Sequence, residues 1–208
     1  EGMLCVVTEV TLKLLPLPPY RAALSVGMPT IAAAAKGLRQ IFKAGFLPSA
    51  LEIADEFTLN AAMQRTGSRR LSGCRGHLIV ELDGQEKSVR SELRDVKRLL
   101  EPLKPRFVDQ ALGAEAVEAI WQLRREFSYS LRDTGLVKLN EDIVVPRGCL
   151  EKLLAFTARL QKKHGMPVAC FGHAGDGNIH VNVMVDDTQV GHEQRRDAAL
   201  DELFRWVV

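Results

Sequence analysis

From Tyr20 onward the sequence switches repeatedly between two hydrophobic periods, and that alternation limits the chain to a small set of folds. Residues 21–27, 49–54, 77–82, 106–110, 136–145, 167–172 and 178–185 are short runs, β-branched or alternating, that predict strands. Between them, residues 30–44, 55–65, 86–103, 114–132 and 147–164 carry apolar positions at three- and four-residue spacing and predict helices. A last helix is expected to start near Thr188. Strand–helix–strand units with paired strands between them predict an α+β fold: a ferredoxin-like antiparallel sheet with helices packed on one face. No repeat is visible in the sequence.

Residues 4–14 (LCVVTEVTLKL) are β-branched and roughly alternating and predict one further strand. Pro16, Pro18 and Pro19 end it and look like a linker. The chain opens at Glu1 without an initiator Met. It closes on a helical pattern, Asp201–Val208, with no Gly, Asn or Pro to stop it. Both ends therefore read as cuts in a longer polypeptide.

Composition removes several function classes. Hydrophobic residues make up 46% and charged residues 26%, which excludes a disordered or low-complexity chain. Lys+Arg (28) nearly balances Asp+Glu (26), so no general nucleic-acid footprint follows, and 6% aromatics is too few for a base-stacking platform. Cys5, Cys74, Cys149 and Cys170 are widely separated and form no CxxC pair, which argues against an iron–sulfur cluster or zinc ribbon. Reduced thiols in a cytoplasm-like compartment are expected for a core of this size. No apolar run approaches the ~20 residues of a membrane span.

Three segments carry candidate chemistry. In Gly172–Asn182, a short apolar strand runs into the turn sequence Ala-Gly-Asp-Gly-Asn and out into alternating Ile179, Val181, Val183 and Val185. The opposite face of that second strand carries Asn178, His180 and Asn182. A tight turn folds His173 back near His180, and two converging imidazoles suit a borderline divalent metal such as zinc, manganese or iron. Asp176 is either a further ligand or a cap of the turn. Glycines at this density would let a ligand approach the backbone. An ordinary hairpin with two unremarkable histidines explains the same spacing.

On the 114–132 helix, Arg124 shares the apolar stripe of Val117, Ile120, Trp121, Phe127 and Leu131, whereas Arg125 shares the outer face with Glu118, Gln122 and Arg132. An inner-face arginine must be paired or meet an anion, and its planar fork suits a carboxylate. Pairing with Asp142 or snorkelling to the rim is the alternative. On the 136–145 strand, Lys138, Asn140 and Asp142 share one face; Lys138 offers a second positive charge, or the face is simply solvated. The loop bearing Arg69, Arg70 and Arg75 reads as a solvated surface loop.

These segments, in this order, resemble the C-terminal (cap) domain of FAD-linked oxidases of the glycolate oxidase flavin-subunit, D-lactate dehydrogenase and D-2-hydroxyglutarate dehydrogenase type. The resemblance rests on Glu1–Pro16, Trp121-Gln-Leu-Arg124, Asn140-Glu-Asp-Ile-Val-Val-Pro-Arg147 and Gly172–Asn182. It implies that residues 1–19 are the last strand of a FAD-binding domain plus linker, and that 20–208 are a substrate-binding cap domain truncated at its C-terminus. It implies His173 and His180 as metal ligands and Arg124, Ser128, Lys138 and Asn182 as substrate contacts. Val7, Thr8 and Asn178 are the positions expected to touch FAD. No catalytic base is expected within this stretch, because the family's Glu-His-Gly segment lies downstream. The implied reaction oxidises a D-2-hydroxy acid to the 2-oxo acid by hydride transfer to flavin. The implied partners are a small 2-hydroxy acid and an electron acceptor or redox subunit, through which alone a membrane would be reached. Without the family, the residues leave a metal-dependent hydrolase using His173, His180 and Asp176, or a stand-alone ligand-binding module.

Overall fold

The computed structural model describes residues 5–208. Seven strands are present: β1 (Tyr20–Met28), β2 (Ala50–Asp55), β3 (Gly76–Gly84), β4 (Phe107–Leu112), β5 (Val137–Val144), β6 (Val168–His173) and β7 (Asn178–Val185). They form one sheet in the order β4-β1-β3-β2-β6-β7-β5, and every neighbouring pair is antiparallel. Six helices accompany them: α1 (Ile31–Lys43), α2 (Glu56–Thr66), α3 (Glu86–Leu100), α4 (Ala114–Arg132), α5 (Leu150–His164) and α6 (His192–Val207). The α+β class and the antiparallel sheet are those the sequence predicts.

The topology contains a duplication that the sequence conceals. β1-α1-β2 followed by β3-α3, and β5-α5-β6 followed by β7-α6, each place the third strand between the first two. The two halves meet edge to edge where Glu52 to Ala54 of β2 pair with His173 to Phe171 of β6. With β4 beside β1, the first half has the complete ferredoxin-like order. The seam brings residues of the two halves onto one continuous face.

The helices are not confined to one face, which corrects the one-sided expectation. α1, α3, α5 and α6 share the main core with Leu24, Val26, Ile53, Val80, Val181 and Val183. α2 and α4 cover the opposite face, where Leu59, Phe127 and Leu131 pack with Ala54, Ala169, Phe171 and Met184, and Val117 and Ile120 pack with Ala23 and Ile79. Two-sided cover explains why β1 and β3 are buried almost throughout. Local chemistry sets the helix starts: the Thr30 hydroxyl accepts from Ala33 N (3.0 Å) and the Asp55 carboxylate from Thr58 N (3.0 Å). The last helix starts at His192, later than expected. Asp186 instead folds a turn, accepting from Thr188 N (3.1 Å) and Thr188 Oγ1 (2.6 Å).

The strand predicted at 4–14 is not formed. Residue 4 lies outside the described residues; residues 5–18 have no regular structure and pair with no strand among the described residues. Val7, Leu12 and Leu15 are exposed. The alternating pattern is real, but a strand needs a neighbour to take its backbone hydrogen bonds. All four cysteines are free thiols.

Candidate functional site

Toward the β5 side of the sheet, the α2/α4 layer gives way to a cavity of about 560 Å³. α4 supplies Trp121, Arg124 and Ser128; β5 supplies Lys138 and Asn140; β6 supplies Phe171 and His173; β7 supplies His180. Exposed Arg125 and Arg132 stand at its edge, Arg125 pairing with Glu118 on its own helix face. Five of the predicted site residues thus meet around one space: Arg124, Ser128, Lys138, His173 and His180. The wall is cationic, with one apolar side.

Each side chain has an identifiable support. Arg124 lies on the inner face of α4, as its stripe predicts, and is almost fully buried. Its partner is not Asp142 but Glu52 of β2: Arg124 Nε donates to Glu52 Oε2 across 2.6 Å. The other oxygen of Glu52 lies 2.6 Å from His173 Nδ1. Asp142 bonds His180 Nδ1 instead. Lys138 Nζ donates to Ser128 Oγ across 2.9 Å. Burial, then the nearby charge of Arg132, lowers the Lys138 pKa below its ordinary value. Phe171 floors the space: the Arg124 guanidinium carbon sits 4.8 Å and Lys138 Nζ 5.9 Å from its ring centre.

The hairpin brings the two histidines together. His173 pairs with Asn178 and Phe171 with His180 across β6 and β7, leaving the imidazole centroids 5.5 Å apart. Asp176 caps the turn, its Oδ1 accepting from Asn178 N at 3.0 Å. Among the described residues, no group of three or more His, Cys, Asp or Glu is assembled to hold a metal. The two imidazoles supply two donors of such a site.

The glycines of this segment serve the backbone rather than a ligand. A Cβ on Gly172 would lie 2.5 Å from Asn178 O, and one on Gly177 would lie 2.1 Å from Val145 O. Gly175 N donates to Leu51 O (3.0 Å) and Val145 N to Gly177 O (3.1 Å), so the turn is pressed against β2 and the end of β5. Asn182 is not at the cavity wall. It is fully buried, and its Nδ2 donates to Ala169 O (3.0 Å) and His180 O (3.1 Å). Val7 and Thr8 are exposed and do not line the cavity, and Asn178 begins β7 with its Oδ1 buried and unpartnered. The basic loop is engaged in ordinary surface pairs, Arg70 with Asp109 (2.7 Å) and Arg75 with Glu56 (2.8 Å).

Glu52 and Phe171 were not singled out in the sequence. Glu52 had a signal: an acid amid Ala50, Leu51, Ile53 and Ala54 in a buried strand must find a partner. Phe171 had none, because an aromatic in an apolar strand is ordinary core.

The fold is thus an antiparallel α+β sheet that carries a cationic, histidine-bearing cavity. Residues 17–208 match the family described as "FAD linked oxidases, C-terminal domain", and the chain belongs to that family. The glycolate oxidase subunit GlcD of Escherichia coli is 31% identical over 199 residues, covering 95% of this chain and 40% of that protein. The GlcD subunit of Bacillus subtilis is 27% identical, covering 98% and 43%. The mitochondrial D-lactate dehydrogenase [cytochrome] of Arabidopsis thaliana is 26% identical, covering 95% and 35%. The chain thus spans about two fifths of the length of these relatives. Among solved structures, p-cresol methylhydroxylase superposes with a TM-score of 0.61 at 16% identity, covering 91% of this chain and 43% of that one, a likeness of fold. No helix among the described residues is long and apolar enough to cross a membrane.

Proposed function

We propose that this chain is the substrate-binding cap domain of a FAD-dependent dehydrogenase that oxidises a D-2-hydroxy acid of the lactate, glycolate or 2-hydroxyglutarate class to the 2-oxo acid. The observation that carries the reading is Arg124 and Lys138 converging over Phe171 beside His173 and His180. Arginine offers a carboxylate two parallel hydrogen bonds. Lys138, held by Ser128, adds a second positive charge on the same side. The imidazoles line the same cavity and would face the 2-hydroxyl of a substrate so anchored. The Phe171 face keeps water from one side of the anion and strengthens its contacts.

His173 and His180 would hold a divalent metal, zinc for example. Each Nδ1 bonds a carboxylate, so in the neutral ring each Nε2 would offer its lone pair to a ligand. When bound, such a metal supplies Lewis-acid polarisation of the hydroxyl oxygen. Val7, Thr8 and Asn178 are assigned to FAD, which supplies the hydride acceptor when bound. The buried, unpartnered Oδ1 of Asn178 supports a polar ligand at the start of β7. The protein's role is to fix C2 of the hydroxy acid in position for transfer. Electrons then pass to an acceptor or partner redox subunit.

The test is the visible spectrum of the flavin-loaded polypeptide that carries this domain, before and after anaerobic addition of D-lactate, glycolate or D-2-hydroxyglutarate. Bleaching of the oxidised flavin bands by one of them is expected. A flavin that none of the three reduces, or a protein without flavin, overturns the proposal. His173→Ala should lower bound metal and activity together, and full metal content in that variant removes the metal from the scheme.

A further inference from the structure

We infer that Glu52 is the positioning residue of this site, a single buried carboxylate that sets both the anion-binding arm and the imidazole arm. The inference rests on the proposed function for its substrate and on the geometry alone for its first readout.

Glu52 is 3% exposed, in the middle of β2, and does not line the cavity. Its two oxygens are divided between two cavity-lining residues from different parts of the fold. Oε2 accepts from Arg124 Nε on α4, and Oε1 lies 2.6 Å from His173 Nδ1 on β6. The seam between the half-sheets makes this possible, because Glu52 and His173 are register partners across it.

The chemistry of each contact dictates what faces the cavity. An ionised carboxylate only accepts, so His173 Nδ1 carries a proton, and in the neutral ring Nε2 is then the nitrogen with the lone pair. Glu52 engages Arg124 through Nε, so the two terminal nitrogens remain as a fork for a planar anion. A buried arginine without this partner would be an uncompensated charge, and its guanidinium would reorient. The carboxylate therefore acts through Arg124 and His173 and touches no substrate itself. Asp142 engages Nδ1 of His180 in the same way, which makes the two imidazoles present the same nitrogen.

The experiment uses the flavin-loaded polypeptide, freed of metal by a chelator, and reads the His173 tautomer by long-range ¹H–¹⁵N correlation near pH 8, with no substrate present. The wild type should show the Nδ1–H form, and an Nε2–H form overturns the inference without any variant. Glu52→Gln keeps the shape but offers one acceptor and one donor where two acceptors are needed. It should shift His173 toward the Nε2–H form and raise KM for the hydroxy acid by about tenfold or more. Glu52→Asp keeps both acceptors and should hold the wild-type tautomer. A Glu52→Gln protein with wild-type tautomer and KM overturns the inference. Should no 2-hydroxy acid reduce the wild-type flavin while the Gln variant still shifts the tautomer, the functional reading fails and the positioning role of Glu52 stands.

Discussion

Arg124 and Glu52 are 72 positions apart in sequence and 2.6 Å apart in the fold. The contact ties α4 to β2, and both side chains are withdrawn from solvent, at 10% and 4% exposure. A buried pair of this kind adds little net stability, but removing one partner typically costs about 3–5 kcal/mol because the other charge is stranded. The pair's value here is directional. It fixes a guanidinium at the wall of a cavity that an unpaired arginine would leave for water.

Arg124→Lys tests that directionality while keeping the charge. An ammonium is a point donor and cannot hold Glu52 and a bidentate carboxylate at once. We expect KM for the hydroxy acid to rise by roughly tenfold or more, the worth of about one charged hydrogen bond. Steady-state kinetics of the complete protein decide it: unchanged KM and kcat would remove Arg124 from the site.

Most of the fold was legible because it is written locally. The alternating run at 178–185 and the inner stripe of the 114–132 helix each place their residues without reference to the rest of the chain. Three things were not local. The helices divide between two faces because α2, a helix of weak amphipathicity, is inserted between β2 and β3, and nothing in its pattern names the face it takes. Residues 4–14 have a strand's pattern but no partner among the described residues. The β2–β6 pairing, which delivers Glu52 to His173, joins residues 121 positions apart. The histidine pair was legible because one hairpin makes it; its carboxylate was not, because the seam makes it.

The hairpin glycines predict a contrast in stability. Gly177 has φ +88°, and a Cβ there would lie 2.1 Å from a backbone oxygen that cannot yield. Gly165 also has a positive φ (62°), at the end of α5, but faces open space. Gly165→Ala should cost about 1 kcal/mol, the conformational penalty alone. Gly177→Ala should cost roughly 3 kcal/mol or more, because strain is added to it. Chemical denaturation measures both, and equal costs would contradict the close packing of the turn.

Two buried groups should oppose each other on acidification. Burial lowers the pKa of His77, bonded to Ser25 Oγ at 2.8 Å, from 6.5 to about 4. The unfolded chain therefore binds this proton first, and stability present above pH 6.5 is lost as pH falls toward 4. Burial raises the pKa of Asp55 from 3.8 to about 6. Here the folded chain binds the proton first, so stability is greatest below pH 3.8 and is lost as pH rises through 6. Each amounts to roughly 3 kcal/mol at most, and between pH 4 and 6 they largely cancel. His77→Gln should unmask Asp55, so that the variant becomes more stable relative to wild type as pH is lowered from 7 to 4. Urea titrations of both proteins across that range are the check; parallel stability curves would mean that His77 is not held neutral.

Phe171 carries the last prediction. Its ring meets Arg124 on one side, stands within cation range of Lys138, and packs against His180 with centroids 5.1 Å apart. Phe171→Leu keeps an apolar side chain and removes the ring quadrupole that holds the two cations over one surface. Each cation–π contact is worth about 0.5–1 kcal/mol, so KM should rise by roughly fivefold with kcat changed less. Phe127 is the control. It is buried against Phe171 at a 6.0 Å centroid distance, does not line the cavity, and shares only the Arg124 contact, at the longer distance of 5.7 Å. Phe127→Leu should lower stability by about 1–2 kcal/mol through lost packing and raise KM by no more than about twofold, since it loses one long cation contact and none to Lys138. If the two substitutions moved stability and KM together to the same extent, Phe171 would be core like its neighbour. A KM effect clearly larger in Phe171→Leu assigns the ring to anion binding, because that ring faces both cations and Phe127 faces Arg124 alone.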